Sequence, residues 1–162
     1  MLDGLQLEDI IKKVINDVKN EKDINIINKD NPCGHGIFMD IETAVDRAYE
    51  AQQLYNSRSL EERRNIISSI RKELLKYTEE MAEKTVAETK MGRIKDKILK
   101  NILAIEKTPG VEDLGTEVFT GDDGLTLVEL SAFGVLGSVT PVTNPTETII
   151  NNTIGALAGG NS

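Results

Sequence analysis

Apolar residues recur at spacings of three and four along most of the first hundred positions, and the interruptions in that rhythm divide the chain into segments. Leu7, Ile10, Ile11, Val14, Ile15 and Val18 form one stripe with charges between them, which predicts an amphipathic helix over residues 1–20. The stretch that follows, "EKDINIINKDNPCGHG", is polar, contains Asn-Pro and two glycines and has no sustained period, so residues 21–39 read as a linker. A helix set apart by such a linker needs a surface for its stripe, either its own domain or a partner.

Asp40 is placed to cap a helix carrying Ala44, Val45, Ala48, Ala51 and Tyr55 on one face. Ser59 opens a longer one, because "SLEE" is a capping box in which Ser59 and Glu62 each satisfy the other's backbone N–H. Its expected core face is Ile67, Ile70, Leu74, Tyr77 and Met81, and Gly92 suits its C-terminal cap. A further helix is expected from about Arg93 to Lys107, ended by "TPG".

After Pro109 the pattern changes from a helical period to β-branched runs. "GDDG", residues 121–124, lies between two short strand-like runs and predicts a hairpin. Phe133 to Thr140 reads as a buried strand, Pro145 ends it, Thr146 to Leu157 resumes a helical pattern, and "AGGNS" is a turn. Strand, turn, helix and turn make most of a βαβ unit whose second parallel strand is missing. The class is therefore α/β, with helices first and the beginning of a parallel sheet last.

Composition narrows the function more than the fold. The chain has 162 residues, 39% of them apolar, enough for one core, and no run long enough to span a membrane. A formal charge of -8 argues against nucleic acid and anionic membranes as partners. Cys33 is the sole cysteine and no secretory signal is evident, so the cytoplasm is the expected compartment. Lys107 is the last basic residue, whereas Glu112, Asp113, Glu117, Asp122, Asp123, Glu129 and Glu147 all follow it. A phosphate-bearing ligand in this last stretch would have to be met by backbone N–H groups or by residues beyond the chain.

The candidate chemistry lies in "TPVTNPTE", residues 140–147. The cap reading is sufficient by itself: Asn144 as N-cap, Pro145 in the first helical position and Glu147 completing a box. A functional reading is compatible with it, since the Asn144 oxygen can cap while its nitrogen donates to a developing negative charge. Cys33 and His35 suggest a metal pair only weakly, having no second pair of ligands, and a structural or incidental role fits both better. No metal site is expected.

"FGVLGSVTPVTNPTETIINNTIGALAGGNS" resembles the aldehyde dehydrogenase superfamily, specifically the CoA-acylating aldehyde dehydrogenases of bacterial microcompartments used for propanediol and ethanolamine. "MGRIKDKILKNILAIEKTPGVEDL" resembles the same group. The likeness covers essentially the whole chain but only the N-terminal part of the family's length. It implies an aldehyde dehydrogenase-like fold, with residues 40–162 as a truncated N-terminal part of the Rossmann-like cofactor-binding domain.

The resemblance implies an NAD-dependent conversion of a short aldehyde to acyl-CoA, through a thiohemiacetal and a thioester on a cysteine, with coenzyme A as co-substrate. Asn144 is then the oxyanion-hole amide, and Thr140, Pro141, Val142 and Thr143 line the nicotinamide cofactor. The family's nucleophilic cysteine lies downstream of everything matched here and Cys33 is no substitute, so the chain as given is expected to be inactive. Residues 1–18 are implied to be a targeting helix for a microcompartment shell protein, with homo-oligomers in the complete enzyme. A non-catalytic cargo or assembly module and the aldehyde domain of a bifunctional alcohol–aldehyde dehydrogenase are the alternatives.

Overall fold

The computed structural model describes residues 36–162. The helix expected over residues 1–20, most of the linker, and Cys33 and His35 lie outside the described residues. The chain divides into a unit up to Arg47 and a second from Ala48 to Ser162, joined within helix α1, Ile41–Asn56.

In the first unit Asp40 opens α1 as expected. Its Oδ1 accepts from the Thr43 N–H at 2.7 Å and its Oδ2 from the Thr43 hydroxyl at 2.8 Å. These two bonds, the backbone one foremost, hold the Asp40 carboxyl below its usual pKa.

The second unit holds the core. Helices α2 (Leu60–Leu74), α4 (Ile94–Lys107) and α5 (Pro145–Ala158) bring Ile67, Ile105, Ile150, Ile154 and Ala158 together with Val111 of a short 3₁₀ turn, and α3 (Thr78–Thr89) packs Met81 against them. Ile105 and Ile154 are wholly buried, and each such side chain withdrawn from water contributes roughly 1.5–3 kcal/mol. Arg71 fastens the end of α4 by donating to the carbonyls of Ile105 and, at 2.6 Å, Thr108. A cation there satisfies acceptors that a helix C-terminus leaves open.

Several expectations hold locally. Both halves of the Ser59–Glu62 capping box are present. The "GDDG" hairpin forms with β1, Glu117–Gly121, antiparallel to β2, Gly124–Val128, and Gly121 paired with Gly124 across a two-residue loop. Gly124 sits at φ 153, which a side chain would strain.

Other expectations change. The helix expected to run unbroken from Ser59 to Gly92 is interrupted by a 3₁₀ turn at Leu75–Tyr77. That turn leaves Tyr77 46% exposed and brings Thr78, Ala82 and Thr85 to the buried side of α3 in its place. The cap belongs to Lys90, in the left-handed region at φ 57, rather than to Gly92. Of the five residues expected to face the core from α1, Ala44, Ala48 and Tyr55 are half-buried while Val45 and Ala51 are exposed, and Gln52 is the buried one. Polarity suits that position because Gln52 Nε2 meets the Gly160 carbonyl at 3.1 Å. An apolar residue there would leave a buried acceptor unpaired.

Phe133 to Thr140 is not a buried strand: the backbone bends at Gly134 and Val135, and Phe133 and Val139 are each 93% exposed. A strand needs a paired backbone, and among the described residues only Ser162 pairs here. Ser162 N–H donates to the Gly134 carbonyl at 3.0 Å and the Leu136 N–H donates to the Ser162 carbonyl at 2.7 Å. Those two bonds, straddling Val135, form one rung of a parallel ladder. Asn161 secures the rung, since its Oδ1 accepts from the N–H groups of Phe133 at 2.6 Å and Gly134 at 2.9 Å.

Replacing Ile105 with Ala is expected to cost about 2–5 kcal/mol in urea unfolding, as α4 loses its contact with α2 and α5. For the capping box, hydrogen bonds from the Ser59 backbone N–H and hydroxyl, helped by Arg58, lower the Glu62 pKa. Its stabilising contribution is therefore present above the ordinary carboxylate pKa and lost as pH falls through the lowered one. The melting-temperature advantage of the native chain over Glu62→Gln should shrink towards zero on acidification.

Candidate functional site

The turn that precedes α5 departs from an ordinary helix start at both of its capping residues. Asn144 occupies the N-cap position, at φ -140 and ψ 58, but its side chain makes no capping bond; only its backbone carbonyl accepts, from Thr148 N–H at 3.1 Å. The Asn144 Oδ1 instead receives the Lys100 ammonium. A lysine has donors only, so the oxygen of the carboxamide must face it and the NH₂ must face elsewhere. That NH₂ has one long contact, 3.4 Å to the Thr143 hydroxyl oxygen.

Glu147, the other half of the expected box, turns inward. It is 9% exposed, and its Oε1 lies 3.5 Å from Lys97 Nζ, an ion pair without a hydrogen bond to that oxygen. Lys97 is itself 4% exposed and donates to the Thr143 carbonyl at 2.5 Å. Beside this pair the Thr146 hydroxyl donates to Asn101 Oδ1 at 2.8 Å, and Asn101 Nδ2 reaches the Thr78 carbonyl at 3.3 Å. A buried polar chain thus links α3, α4 and the turn into α5. The cap explanation, sufficient on sequence, does not describe the side-chain bonds these residues make.

Thr140, Pro141, Val142 and Thr143 are exposed, and the first three line a depression of about 330 Å³ with Glu88, Thr89 and Pro145. Pro141, Val142 and Pro145 give it apolar walls, while Thr89 and Thr140 bring hydroxyls. The structure therefore places Thr140–Thr143 and Asn144 side by side on one turn. A second groove of about 740 Å³ runs between Leu136–Thr140 and one side of α5, where Asn152 Nδ2 donates to the Ser138 hydroxyl at 2.6 Å.

Sequence reasoning missed Lys97 and Lys100. The stretch after Lys107 carries no cation, but α4 delivers two to it from more than forty residues upstream. A signal was present: Lys97, Asn101 and Ile105 lie one helical turn apart on the buried row of α4, where a lysine and an asparagine are out of place unless something polar meets them.

This arrangement of helices and hairpin recurs in known proteins. Residues 33–162 match the aldehyde dehydrogenase family, and the chain belongs to it. Over 131 residues it is 52% identical to the propanal dehydrogenase (CoA-propanoylating) of Salmonella typhimurium, covering 81% of this chain and 28% of that protein. Over 156 residues it is 42% identical to the acetaldehyde dehydrogenase (acetylating) of Bilophila wadsworthia, covering 95% of this chain and 32% of that one. Among solved structures, a propionaldehyde dehydrogenase from the Clostridium phytofermentans fucose utilisation bacterial microcompartment superposes with a TM-score of 0.74 at 52% identity, over 78% of this chain and 29% of that chain. A Rhodopseudomonas palustris propionaldehyde dehydrogenase with bound propionyl-CoA gives 0.74 at 51%, over 78% and 28%. The chain thus spans under a third of the length of these relatives. The expected aldehyde dehydrogenase-like α/β fold holds, and no helix among the described residues is long and apolar enough to cross a membrane.

Breaking the buried pair tests the geometry of the turn. Lys97→Met should cost about 3–5 kcal/mol in urea unfolding, because it leaves the Glu147 carboxylate buried without a counter-charge. Adding Glu147→Met should recover more than half of the loss.

Proposed function

We propose that residues 40–162 are the N-terminal part of the cofactor-binding domain of an NAD-dependent, CoA-acylating aldehyde dehydrogenase, which converts a short aldehyde to its acyl-CoA. The observation that carries this reading is the Asn144 carboxamide, whose oxygen is taken by Lys100 instead of capping α5 and whose NH₂ makes only one long contact, to the Thr143 hydroxyl. When a cysteine thiolate of the complete polypeptide adds to the aldehyde carbon, the carbonyl oxygen gains negative charge, and the Asn144 N–H groups donate to it. They donate again to the thioester oxygen while the CoA thiol displaces the enzyme sulfur.

The depression next along the turn from Asn144 would take a flat, carboxamide-bearing ring, with apolar faces from Pro141, Val142 and Pro145 and a hydroxyl from Thr140. Thr140, Pro141, Val142 and Thr143 would hold the nicotinamide, which supplies a hydride acceptor when bound. Similarity to CoA-propanoylating and acetylating enzymes supports coenzyme A and a short aldehyde, and likeness to a microcompartment enzyme supports the same location in the cytoplasm. In this reading residues 1–18 dock to a shell protein, residues 21–39 are the linker, and the complete enzyme is a homo-oligomer.

In the complete polypeptide, Asn144→Ala should lower kcat for CoA-dependent NADH formation about a hundredfold or more, with cofactor affinity little changed. Asn144→Asp should do no better: it keeps an oxygen for Lys100 but loses both N–H donors and sets a carboxylate beside the developing anion. Near-native kcat in both variants would remove Asn144 from the mechanism.

A further inference from the structure

Building on Asn144 as oxyanion donor, we infer that Lys100 is a positioning residue for the reaction: its ammonium, held on the Asn144 oxygen, fixes and polarises the carboxamide that donates to the substrate oxygen.

A carboxamide on an exposed turn rotates about its side-chain torsions, and its two ends present opposite chemistry to whatever lies in front of them. If the oxygen faced a developing oxyanion it would repel it; only the NH₂ end stabilises it. Lys100 removes the ambiguity, because an ammonium accepts no hydrogen bond and tolerates only the oxygen as its neighbour. The Thr143 hydroxyl, 3.4 Å from the Asn144 nitrogen, is too distant to do this alone. Charge adds a second effect. A cation on the carbonyl end withdraws electron density from the amide nitrogen and makes its N–H groups stronger donors.

The surroundings hold Lys100 where this requires. It lies three residues after Lys97 on α4, one helical turn along the same side, and Lys97 fixes the backbone of the turn through the Thr143 carbonyl. The two lysines therefore divide the work. Lys97 sets where Asn144 stands and Lys100 sets which way its side chain faces. Lys100 is exposed, unlike Lys97, so substitution there leaves no buried charge behind.

The test compares Lys100→Met and Lys100→Arg in the complete enzyme, each in native and Asn144→Ala backgrounds. Lys100→Met should lower kcat about tenfold, the loss of one charge-assisted contact, while KM for aldehyde, CoA and NAD and the melting temperature change little. Lys100→Arg should restore most of kcat. In the Asn144→Ala background Lys100→Met should cost less than about twofold, because the two residues act as a unit. A full additional loss there, or native kcat in Lys100→Met, overturns the inference while a crippled Asn144→Ala enzyme leaves the oxyanion reading intact. An active Asn144→Ala enzyme defeats that reading instead. Independently of turnover, the Asn144 side-chain NH₂ order parameter of the 162-residue chain should fall from about 0.8 to below about 0.6 in Lys100→Met; an unchanged value overturns the inference.

Discussion

The burial of the Lys97 ammonium is the constraint on which the turn depends. Removing a lysine from water costs several kcal/mol unless its charge and donors are met, and here the Thr143 carbonyl accepts from it while the Glu147 carboxylate supplies the opposite charge. Both acceptors belong to the far end of the chain. The fold can satisfy the ammonium only by laying the segment before α5 against α4, so one unfavourable transfer fixes the relation between two elements more than forty residues apart. Because Glu147 Oε1 has no hydrogen bond of its own, its dependence on Lys97 is correspondingly strong.

That geometry explains why residues with ideal capping chemistry do not cap. A free helix N-terminus would attract Asn144 Oδ1 and Glu147 onto its first N–H groups, worth about 1 kcal/mol for such a cap. Two lysines offer stronger, charge-assisted partners, and both side chains go to them instead. The same comparison explains Gln52 and Asn161. Each is a polar side chain in a buried place, and each meets backbone groups that would otherwise lack partners, Gln52 at the Gly160 carbonyl and Asn161 at two consecutive N–H groups.

Features written within a few residues of one another were legible in the sequence. The Ser59–Glu62 box, the "GDDG" hairpin, the Asp40 cap and the limits of α4 all rest on local spacing, and all are present. What escaped was decided by partners distant in sequence. Whether Gln52 or Ala51 faces inward depends on Gly160, and whether Phe133–Thr140 is a strand depends on what pairs with it. Of the candidate site, residues 140–144 were singled out by motif and by resemblance and do lie together on one turn, but the lysines that orient them were invisible to any reading that stayed within the turn.

The spacing of Lys97 and Lys100 also separates stability from chemistry on a single helix face. An interior cation is secured by geometry and makes the turn costly to disrupt, so it is poorly suited to adjustment. A cation at the rim remains hydrated, contributes little to folding, and still orients a neighbouring dipole because direction, unlike net binding energy, survives partial screening. Placing one of each a helical turn apart lets the interior residue carry the energetic load and leaves the exposed one to act on the carboxamide. In the proposed enzyme, substitutions at position 97 should therefore be felt first as instability and those at position 100 first as slower turnover, a difference that follows from burial alone.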